Sequence, residues 1–280
     1  MTSLAPQTAI PFSIGQMTTE GPAGHLLAQL ADDEAGQTAA YRIRYDGYLS
    51  YGHISDTSAG MFTDKYDHLA NFMTAVITKD GTPAGTVRVG VCRQGRQDIL
   101  PAMEIFPDEI AASLALAGAH GRATTAVEVG RLARSPAFGR DATILHAMFR
   151  TAGYLIIHHR ADVVFSAVRL HHRPMYKRFG FVQISEPKPY PGLICDMVLM
   201  ACVKADFGDA IENLPFLQGV DDQAAQSSRL IAGERITIPP PARAPCLRPA
   251  AHRQRMRAAP AWREAAPIAL SPETRQLAAA

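Results

Sequence analysis

The stretch AVEVGRLARSPAFGRDATILHAMF, residues 126–149, carries charges on what otherwise resembles a buried strand. Glu128, Arg131 and Arg134 interrupt its apolar residues, and a Ser-Pro turn separates this strand from an amphipathic helix. Residues three apart on a strand point to opposite faces unless a bulge intervenes. A bulge costs little at Gly130, so we expect one there. Such a strand opens a cleft in which the carboxylate could act as a base.

The turn SPAFGR and the helix that begins near Asp141 predict a second kind of site. The first N–H groups of a helix have no partners within it, and they attract phosphate. A phosphate-bearing thioester such as phosphopantetheine could bind there, close to the carboxylate. The alternative is a structural ion pair beside an ordinary turn between a strand and a helix.

Further charges fall on elements that face the predicted core. Asp64 and Asp67 precede a predicted hairpin, and Arg88 lies within its second strand. Arg44 lies on the aromatic face of an early helix, four residues before Tyr48. A charge within a strand is costly unless it is paired. Each charge alone is more often solvated, but together with those of the first stretch they predict buried ion pairs that line a pocket.

The hydrophobic pattern predicts the elements that must position these residues. Alternating β-branched residues on both sides of Asp80-Gly81 are typical of a hairpin. The predicted order is a short helix at 25–30, a helix at 41–49, strands at 71–78 and 86–92, a helix at 103–118, a strand at 125–135, a helix at 141–159, a strand at 162–168, a short helix ending at Gly180 and a strand at 193–203. This order predicts an α+β fold, or α/β sandwich, with a mixed central sheet.

Composition sets the expected domain organisation. The chain has 280 residues, of which 47% are hydrophobic and 19% charged, which is typical of one large globular domain or two small ones. We expect a flexible segment at 1–20 and a folded domain at 21–216. Residues 217–280, rich in Ala, Pro and Arg, predict a disordered basic tail because they cannot bury enough apolar surface to fold alone.

Several classes of protein are not favoured. A net charge of +2 gives no indication of nucleic-acid binding, and the four cysteines lack CxxC spacing. No apolar run approaches the roughly 20 residues of a membrane span, and no secretory signal pattern is present, so we expect a cytoplasmic protein. The pairs His158-His159 and His171-His172 predict no metal site, because adjacent helical residues point about 100° apart.

Four motifs follow one another in the order found in acyl-homoserine-lactone (autoinducer) synthases. They are Arg44 with the aromatic Tyr48, the D-x-x-D of residues 64–67, the strand residue Arg88, and the E-x-x-R of residues 128–131. The later segment RLHHRPMYKRFGF resembles more closely the N-acyl amino acid synthases, a sister group within the GNAT acyltransferase superfamily. The resemblance covers roughly residues 25–205 and implies a GNAT-like mixed sheet flanked by helices.

The sequence departs from these families in two places. Autoinducer synthases usually carry a Trp a few residues after the aromatic residue, and the segment YGHIS has none. The GNAT phosphate loop, R/Q-x-x-G-x-G/A, is replaced by RSPAFGRDA, which has a Pro and a single Gly. The first departure favours the N-acyl amino acid synthases, and the second argues against simple binding of acetyl-CoA.

The resemblance implies an N-acyltransferase that moves a long-chain fatty acyl group to the amino group of an amino acid. The acyl donor would be acyl carrier protein or acyl-CoA, no tightly bound cofactor is implied, and the product could associate with a membrane. Two alternatives stay open. One is an acyl-homoserine-lactone synthase that uses S-adenosylmethionine. The other is an inactive GNAT-shaped binding module whose basic tail contacts nucleic acid or anionic lipid.

The resemblance also implies roles for individual residues. Glu128 would remove a proton from the attacking amine, whose reference pKa is about 8, and Arg131 would hold an acidic partner. A backbone N–H near Leu132 or Ala133 would stabilise the oxyanion. The acceptor pocket would be shaped by Arg44, Tyr48, Asp64, Asp67 and Arg88, with Arg44 or Arg88 as the partner of the acceptor carboxylate. The phosphopantetheine or carrier protein would meet Leu132, Arg134, Gly139 and Arg140. His171 or His172 near the acceptor pocket is a weaker hypothesis.

Overall fold

The computed structural model describes residues 25–118, 123–139, 141–204, 217–220 and 223–240, together with Phe207 and Ile211. The strands of these residues are β1 Leu26–Leu30, β2 Phe72–Lys79, β3 Thr82–Arg93, β4 Thr125–Arg134, β5 Val163–Val168, β6 Val182–Gln183, β7 Lys188–Pro189, β8 Asp196–Val203 and β9 Ile236–Thr237. The helices are α1 Glu34–Ser50, α2 Pro101–Ile105, α3 Pro107–Ala117, α4 Ala142–His158, α5 Arg173–Arg178 and α6 Ala224–Ile231.

The strands form one mixed sheet in the order β6-β8-β5-β4-β3-β2-β1-β9, with β7 paired to β8. Each neighbouring pair is antiparallel except β4 and β5, which run parallel. A parallel pair needs a crossover, and α4 supplies it. The predicted mixed central sheet and the hairpin at Asp80-Gly81 are confirmed.

Helices cover both faces of the sheet. Val127 and Val129 of β4 belong to the same core cluster as Ile144 and Met148 of α4, and α6 joins this face. Because successive strand residues alternate between faces, Glu128 points the other way, toward the side that α1, α2 and α3 cover. The α/β sandwich is thus confirmed, and Glu128 lies on the face that α1, α2 and α3 cover.

Two predicted helices are wrong in detail. Residues 26–30 form β1, because alternate residues of LLAQL are buried and the strand pairs with both β2 and β9. The helix predicted at 103–118 is two helices that meet at Phe106. Pro107 disfavours a helical conformation of the residue before it, so α2 ends at Ile105 and α3 begins at Pro107.

The folded part of the chain extends beyond the expected boundary at residue 216. Helix α6 packs on α4, and β9 pairs with β1 at the edge of the sheet. Leu230 and Ile236 are fully buried, and both belong to the main core cluster. A few apolar residues in a polar, Arg-bearing segment suffice when an existing core receives them, which composition alone does not reveal. Residues 1–24 and 241–280, and the expectations for them, lie outside the described residues.

Among the helices of the described residues, none has both the length and the apolar character that crossing a bilayer requires.

Candidate active site

Five charged residues form a buried network on the α1 face of the sheet, which we call the ion-pair network: Arg44, Asp64, Asp67, Arg88 and Arg131. Asp67 lies between two arginines, since its Oδ1 accepts from Arg44 Nη1 at 2.7 Å and from Arg88 Nη1 at 2.7 Å. The side chains of Arg44 and Asp67 are 0% and 1% exposed. Arg44 Nη2 also donates to Thr74 Oγ1 of β2 at 3.0 Å. The buried charges expected from the sequence are therefore brought together.

Asp64 joins the two strand arginines of the network. Its Oδ1 accepts from Arg88 Nη1 at 2.6 Å, and its Oδ2 accepts from Arg131 Nη2 at 2.6 Å and Nε at 3.0 Å. Burial alone would raise the pKa of Asp64, but the bonds from Arg88 and Arg131 lower it far below the ordinary range. Asp64 is therefore ionised at any pH at which the protein would work.

The D-x-x-D spacing makes a turn that aims both carboxylates at the sheet. The Asp64 N–H donates to Asp67 Oδ2 at 2.9 Å, and the Asp67 N–H donates to the Asp64 carbonyl at 3.1 Å. The Tyr66 N–H donates to Asp64 Oδ1 at 3.0 Å. These hydrogen bonds from backbone N–H groups orient the two carboxylates independently of the arginines.

The expected bulge in β4 is present, but its strained residue is Arg131 rather than Gly130. The pairing of β3 with β4 shifts register between Thr86 and Arg88, opposite this stretch. Arg131 has φ of 52°, in the left-handed region that costs a non-glycine residue about 1–2 kcal/mol. The prediction was wrong because the bond to Asp64, which only the fold creates, holds Arg131 in this conformation.

Glu128 is a buried carboxyl group that lies outside the ion-pair network. It is 5% exposed, and its Oε2 accepts from the Ala102 N–H at 2.9 Å. Burial raises the pKa of Glu128 to about 7, although Ala102 and the charges of Arg88 and Arg131 oppose the shift. Within the described residues no guanidinium or ammonium pairs with it. A carboxyl group that titrates near neutral pH is suited to accept and release a proton.

Strands β4 and β5 separate immediately after Glu128. Their ladder pairs only Ala126 to Glu128 with Val163 to Phe165. Beyond it, Ser166 Oγ donates to the Val129 carbonyl at 2.8 Å, so a side chain takes the place of the next backbone bond. A Cβ added to Gly130 would meet no atom within 4 Å. The two strands are thus no longer paired backbone to backbone beyond Glu128, and the space at Gly130 is open; we call this region between β4 and β5 the gap.

An apolar cavity lies on the other face of this gap. Its volume is about 80 Å³, and its lining includes Val129 of β4, Val164 of β5 and Ala152 of α4. The aromatic residues Phe149 and Tyr176 also contribute to the lining. Tyr176 is a buried core residue. Glu128 and the apolar cavity thus lie on opposite faces of the sheet, one residue apart along β4.

The turn before α4 is less open to phosphate than expected. The N–H groups of Phe138, Gly139 and Asp141 donate to carbonyls within the turn. Asp141 caps α4, accepting from the Thr143 N–H at 2.9 Å, and pairs with Lys79 Nζ at 2.6 Å. The expectation of free N–H groups is therefore wrong for Phe138, Gly139, Asp141 and Thr143, and a carboxylate already caps the helix.

The structure places the other predicted residues as follows. Tyr48 packs edge-on against Phe62, with ring centroids 5.1 Å apart, and Arg131 lies 4.9 Å from the same Phe62 ring. Arg134 Nη1 donates to the Asp141 carbonyl at 3.1 Å. Leu132 packs at the edge of two core clusters, whereas Arg140 lies outside the described residues.

Arg44 and Arg88 do not suit the expected contact with an acceptor carboxylate. Arg44 is fully buried and Arg88 is 3% exposed, and both guanidiniums are bonded to aspartates. Sequence reasoning missed Ala102, whose N–H bonds Glu128, and Tyr190, whose ring lies 6.0 Å from the Arg131 guanidinium. No spacing in the sequence distinguishes either residue, because only the fold brings the first turn of α2 and the residue after β7 to the site.

Comparison with known proteins places the site in context. A family model described as "N-acyl amino acid synthase FeeM" matches residues 39–203. The solved structure of FeeM, an N-acyl amino acid synthase from uncultured soil microbes, is similar with a TM-score of 0.54 and 19% identity, over 67% of this chain and 95% of that one. At this identity the structural likeness shows the fold, and it agrees with the expected GNAT-like architecture.

Two synthases of acyl-homoserine lactones are more distantly similar. LasI matches with a TM-score of 0.46 and 14% identity, over 64% of this chain and 90% of that one. BjaI, a CoA-dependent enzyme, matches with a TM-score of 0.47 and 15% identity, over 68% and 89%. Among curated proteins, no sequence matches.

Proposed function

Because the chain belongs to the N-acyl amino acid synthase FeeM family, and so is an N-acyltransferase with a GNAT-like fold, we propose that it transfers a long-chain fatty acyl group to the amino group of an amino acid. The donor would be a thioester of acyl carrier protein or of coenzyme A. The observation that carries the proposal is the buried carboxyl of Glu128, with its pKa of about 7, beside the gap between β4 and β5.

The proposed reaction is aminolysis of a thioester. The amine nitrogen attacks the carbonyl carbon, the carbon–sulfur bond breaks, and the thiolate leaves and takes up a proton. The attacking amine must be neutral, and an α-amino group has a reference pKa of about 8. Glu128, in its ionised form, accepts the proton that the nitrogen loses, directly or through one water.

The first carbons of the acyl chain would lie in the apolar cavity on the α4 face, whose volume of about 80 Å³ is too small for a whole long chain. The cavity borders Val129, one residue from Glu128 along β4, so a chain in it would bring its thioester to the gap. Leu132 would contact the chain near the thioester. The edge of β4 that faces β5 has no strand partner beyond Glu128 in the described ladder, which supports an oxyanion contact from a backbone N–H near Leu132 or Ala133.

The phosphopantetheine arm and the carrier protein are proposed to approach the turn between β4 and α4. Arg134, Gly139 and Arg140 remain the proposed contacts there. Because Asp141 occupies the start of α4, we expect guanidinium groups rather than helix N–H groups to provide the attraction for phosphate or for an acidic carrier protein.

The ion-pair network would position Arg131 and close the acceptor side of the gap. Arg131 is 8% exposed in its side chain and bonded twice to Asp64, so its charge is fixed near Glu128. Its proximity favours the ionised form of Glu128 and opposes the effect of burial. Tyr48, half-exposed beside Phe62, would contact the acceptor.

Mass spectrometry of organic extracts tests the proposal. A host that expresses the wild-type protein is expected to contain long-chain N-acyl amino acids, and Glu128→Gln is expected to lower them by ~10²- to 10⁴-fold. Glu104→Gln, which changes a carboxyl group that is 44% exposed, is the matched control and should leave the products unchanged. Unchanged products with Glu128→Gln would exclude the base role, and their absence with wild type would overturn the function.

Purified protein separates the remaining possibilities. Acyl carrier protein and acyl-CoA are supplied in turn as donors with the same amino acid, and the faster reaction identifies the donor. S-adenosylmethionine replaces the amino acid in a parallel reaction. Formation of an acyl-homoserine lactone there, without N-acyl amino acids in the first reaction, would favour the autoinducer synthase instead.

A further inference from the structure

Arg169, at the end of β5, is held by two histidines. Its Nη1 lies 3.1 Å from His53 Nδ1, and its Nη2 lies 3.4 Å from His172 Nε2. Arginine can only donate, so both ring nitrogens must accept and both imidazoles must be neutral. Burial and the Arg169 charge lower the pKa of His53 to about 4 and that of His172 to about 3. We call these three residues the Arg169 cluster.

The Arg169 cluster carries a positive charge that no carboxylate balances within the described part of the chain. In contrast, each arginine of the ion-pair network is bonded to Asp64 or Asp67. Because His53 Nδ1 accepts, His53 Nε2 must bear the ring hydrogen, and this buried atom has no hydrogen-bond partner. The cluster therefore offers two kinds of donor, a guanidinium and an imidazole N–H, and lacks an acceptor.

Strand geometry places Arg169 on the same face of the sheet as Glu128. Glu128 pairs with Phe165, and paired residues of neighbouring strands project to the same side. Residues 167 and 169 share the side of Phe165, and Ala167 packs in the same core cluster as Phe165. Arg169 follows Phe165 by four residues, which is about 13 Å along an extended strand.

Tyr48 connects the cluster with the ion-pair network. It lies close enough to both Arg131 and Arg169 to influence the pKa of each. Apolar side chains with unusually high exposure border the cluster: Tyr51 is 58% exposed, Leu170 42% and Ile194 64%. Tyr51 stacks on His53, and the Ile194 N–H donates to the His53 carbonyl at 2.8 Å. These exposed apolar groups and the donors without an acceptor offer contacts for both the apolar and the charged part of an amino acid.

We propose that Arg169, oriented by His53 and His172, binds the carboxylate of the acceptor amino acid. The proposal rests on the proposed function and replaces Arg44 and Arg88 in this role. A carboxylate would accept a forked pair of bonds from the guanidinium, or one bond from it and one from His53 Nε2. The acceptor would then lie between Arg169 and Glu128, on the face opposite α4, whereas the turn proposed for the donor phosphate leads into α4.

Acceptor kinetics test this assignment. Leucine has the carboxylate that leucinamide lacks, and because this carboxylate also raises the amine pKa, kcat/KM is expressed for the neutral amine of each acceptor. On this basis we expect the wild-type protein to prefer leucine by ~10- to 100-fold, the range for a charge-assisted contact. Arg169→Gln should lose this preference through a higher KM for leucine, with kcat/KM for leucinamide and the KM for the acyl donor unchanged. Arg169→Lys should restore part of the preference. Arg178→Gln, which changes an exposed arginine of α5, is the matched control.

A binding measurement separates this proposal from the proposed function. The melting temperature of each protein is followed with N-dodecanoyl-leucine and with its carboxamide, which needs no turnover. Stabilisation of wild type by the acid alone, absent in Arg169→Gln, supports the site. Equal stabilisation by both probes, or equal use of leucine and leucinamide by an active wild type, overturns it while the acyltransferase function stands. A higher donor KM in Arg169→Gln, with the leucine KM unchanged, would assign the cluster to the donor phosphate instead.

Discussion

Glu128 is buried and Asp64 is half-buried, both near Arg88 and Arg131, yet their pKa values move in opposite directions. Asp64 accepts direct bonds from both guanidiniums, which outweigh the cost of burial. Glu128 receives a single backbone N–H, which does not. The same arginines thus keep one carboxylate permanently charged and leave the other able to exchange a proton.

The raised pKa of Glu128 predicts a pH-dependent difference in stability. The folded protein holds this proton up to about pH 7, whereas the unfolded chain releases it near 4.5, so ionisation lowers the free energy of unfolding as pH rises between these values. Glu128→Gln removes this effect. Urea unfolding should find the variant more stable than wild type by roughly 3 kcal/mol at pH 8 and by little at pH 4. A difference that is the same at both pH values would contradict the raised pKa.

Replacing the Asp67 carboxylate by an amide should have the opposite effect on the free energy of unfolding, because its arginine partners cannot lose their charges. Asp67→Asn leaves Arg44 and part of Arg88 without a counter-charge in the interior, which should lower the free energy of unfolding by about 3–5 kcal/mol at neutral pH. Glu104→Gln breaks the exposed ion pair with Lys65 and should cost about 0–1 kcal/mol. Equal losses in the two variants would show that burial of the network contributes nothing.

Strand β4 has two irregularities, a bulge in its pairing with β3 and an early end to its pairing with β5. The bulge at Arg131 faces β3 and lets the guanidinium reach Asp64, while the separation from β5 begins after Glu128. The local pattern of the sequence predicted a charged, bulged strand before a helix. It did not predict which residue takes the left-handed conformation, because that depends on Asp64, which lies in a loop before β2.

The open space above Gly130 makes a prediction about β4. Gly130→Val adds a side chain that meets no protein atom at its Cβ, so stability should change by no more than about 1 kcal/mol. The same side chain would fill the gap beside Glu128 and should lower kcat/KM by ~10²-fold or more, since misplaced reactants lose this much. Thermal unfolding and acyl-transfer kinetics measure the two effects.

Gly85→Val is the contrasting variant. A Cβ at Gly85 would lie 2.8 Å from Ile144 Cγ2 and Met148 Sδ of α4, so this change should destabilise the fold. Full activity of Gly130→Val would mean that no substrate atom passes over Gly130.

At the scale of the whole molecule, the sequence predicted the elements best where periodicity and turn residues agree. The hairpin around Asp80-Gly81 and the amphipathic α4 are of this kind. Strand β1 is five residues long, too short for its period of two to be separated from a helical one, and its identity comes from pairing with β2. Of the Arg169 cluster, the sequence suggested only His172, as a weaker hypothesis; Arg169 and His53 had no sequence signal, because the three residues meet only in the folded chain.

The segment after residue 216 provides a test of the domain boundary. Leu230 is fully buried in the main core cluster, so Leu230→Ala should lower the free energy of unfolding by about 2–5 kcal/mol. Leu116→Ala, at a position that is 49% exposed, should change it by about 0.5 kcal/mol or less. Chemical denaturation of both variants measures the difference. An unchanged free energy of unfolding in Leu230→Ala would mean that the folded domain ends near residue 216, as expected from composition.

The pairing of β1 with β9 also constrains when the protein can finish folding. Leu27 and Ala28 lie near the beginning of the described chain, and their partners Thr237 and Ile236 lie at its other end. The ribosome must therefore synthesise almost the whole domain before β9 is available to pair with the outer edge of β1. Contacts so distant in sequence slow folding, and an uncovered strand edge can pair with other chains in the meantime. We expect nascent chains that stop before β9 to need chaperones more than the released protein does.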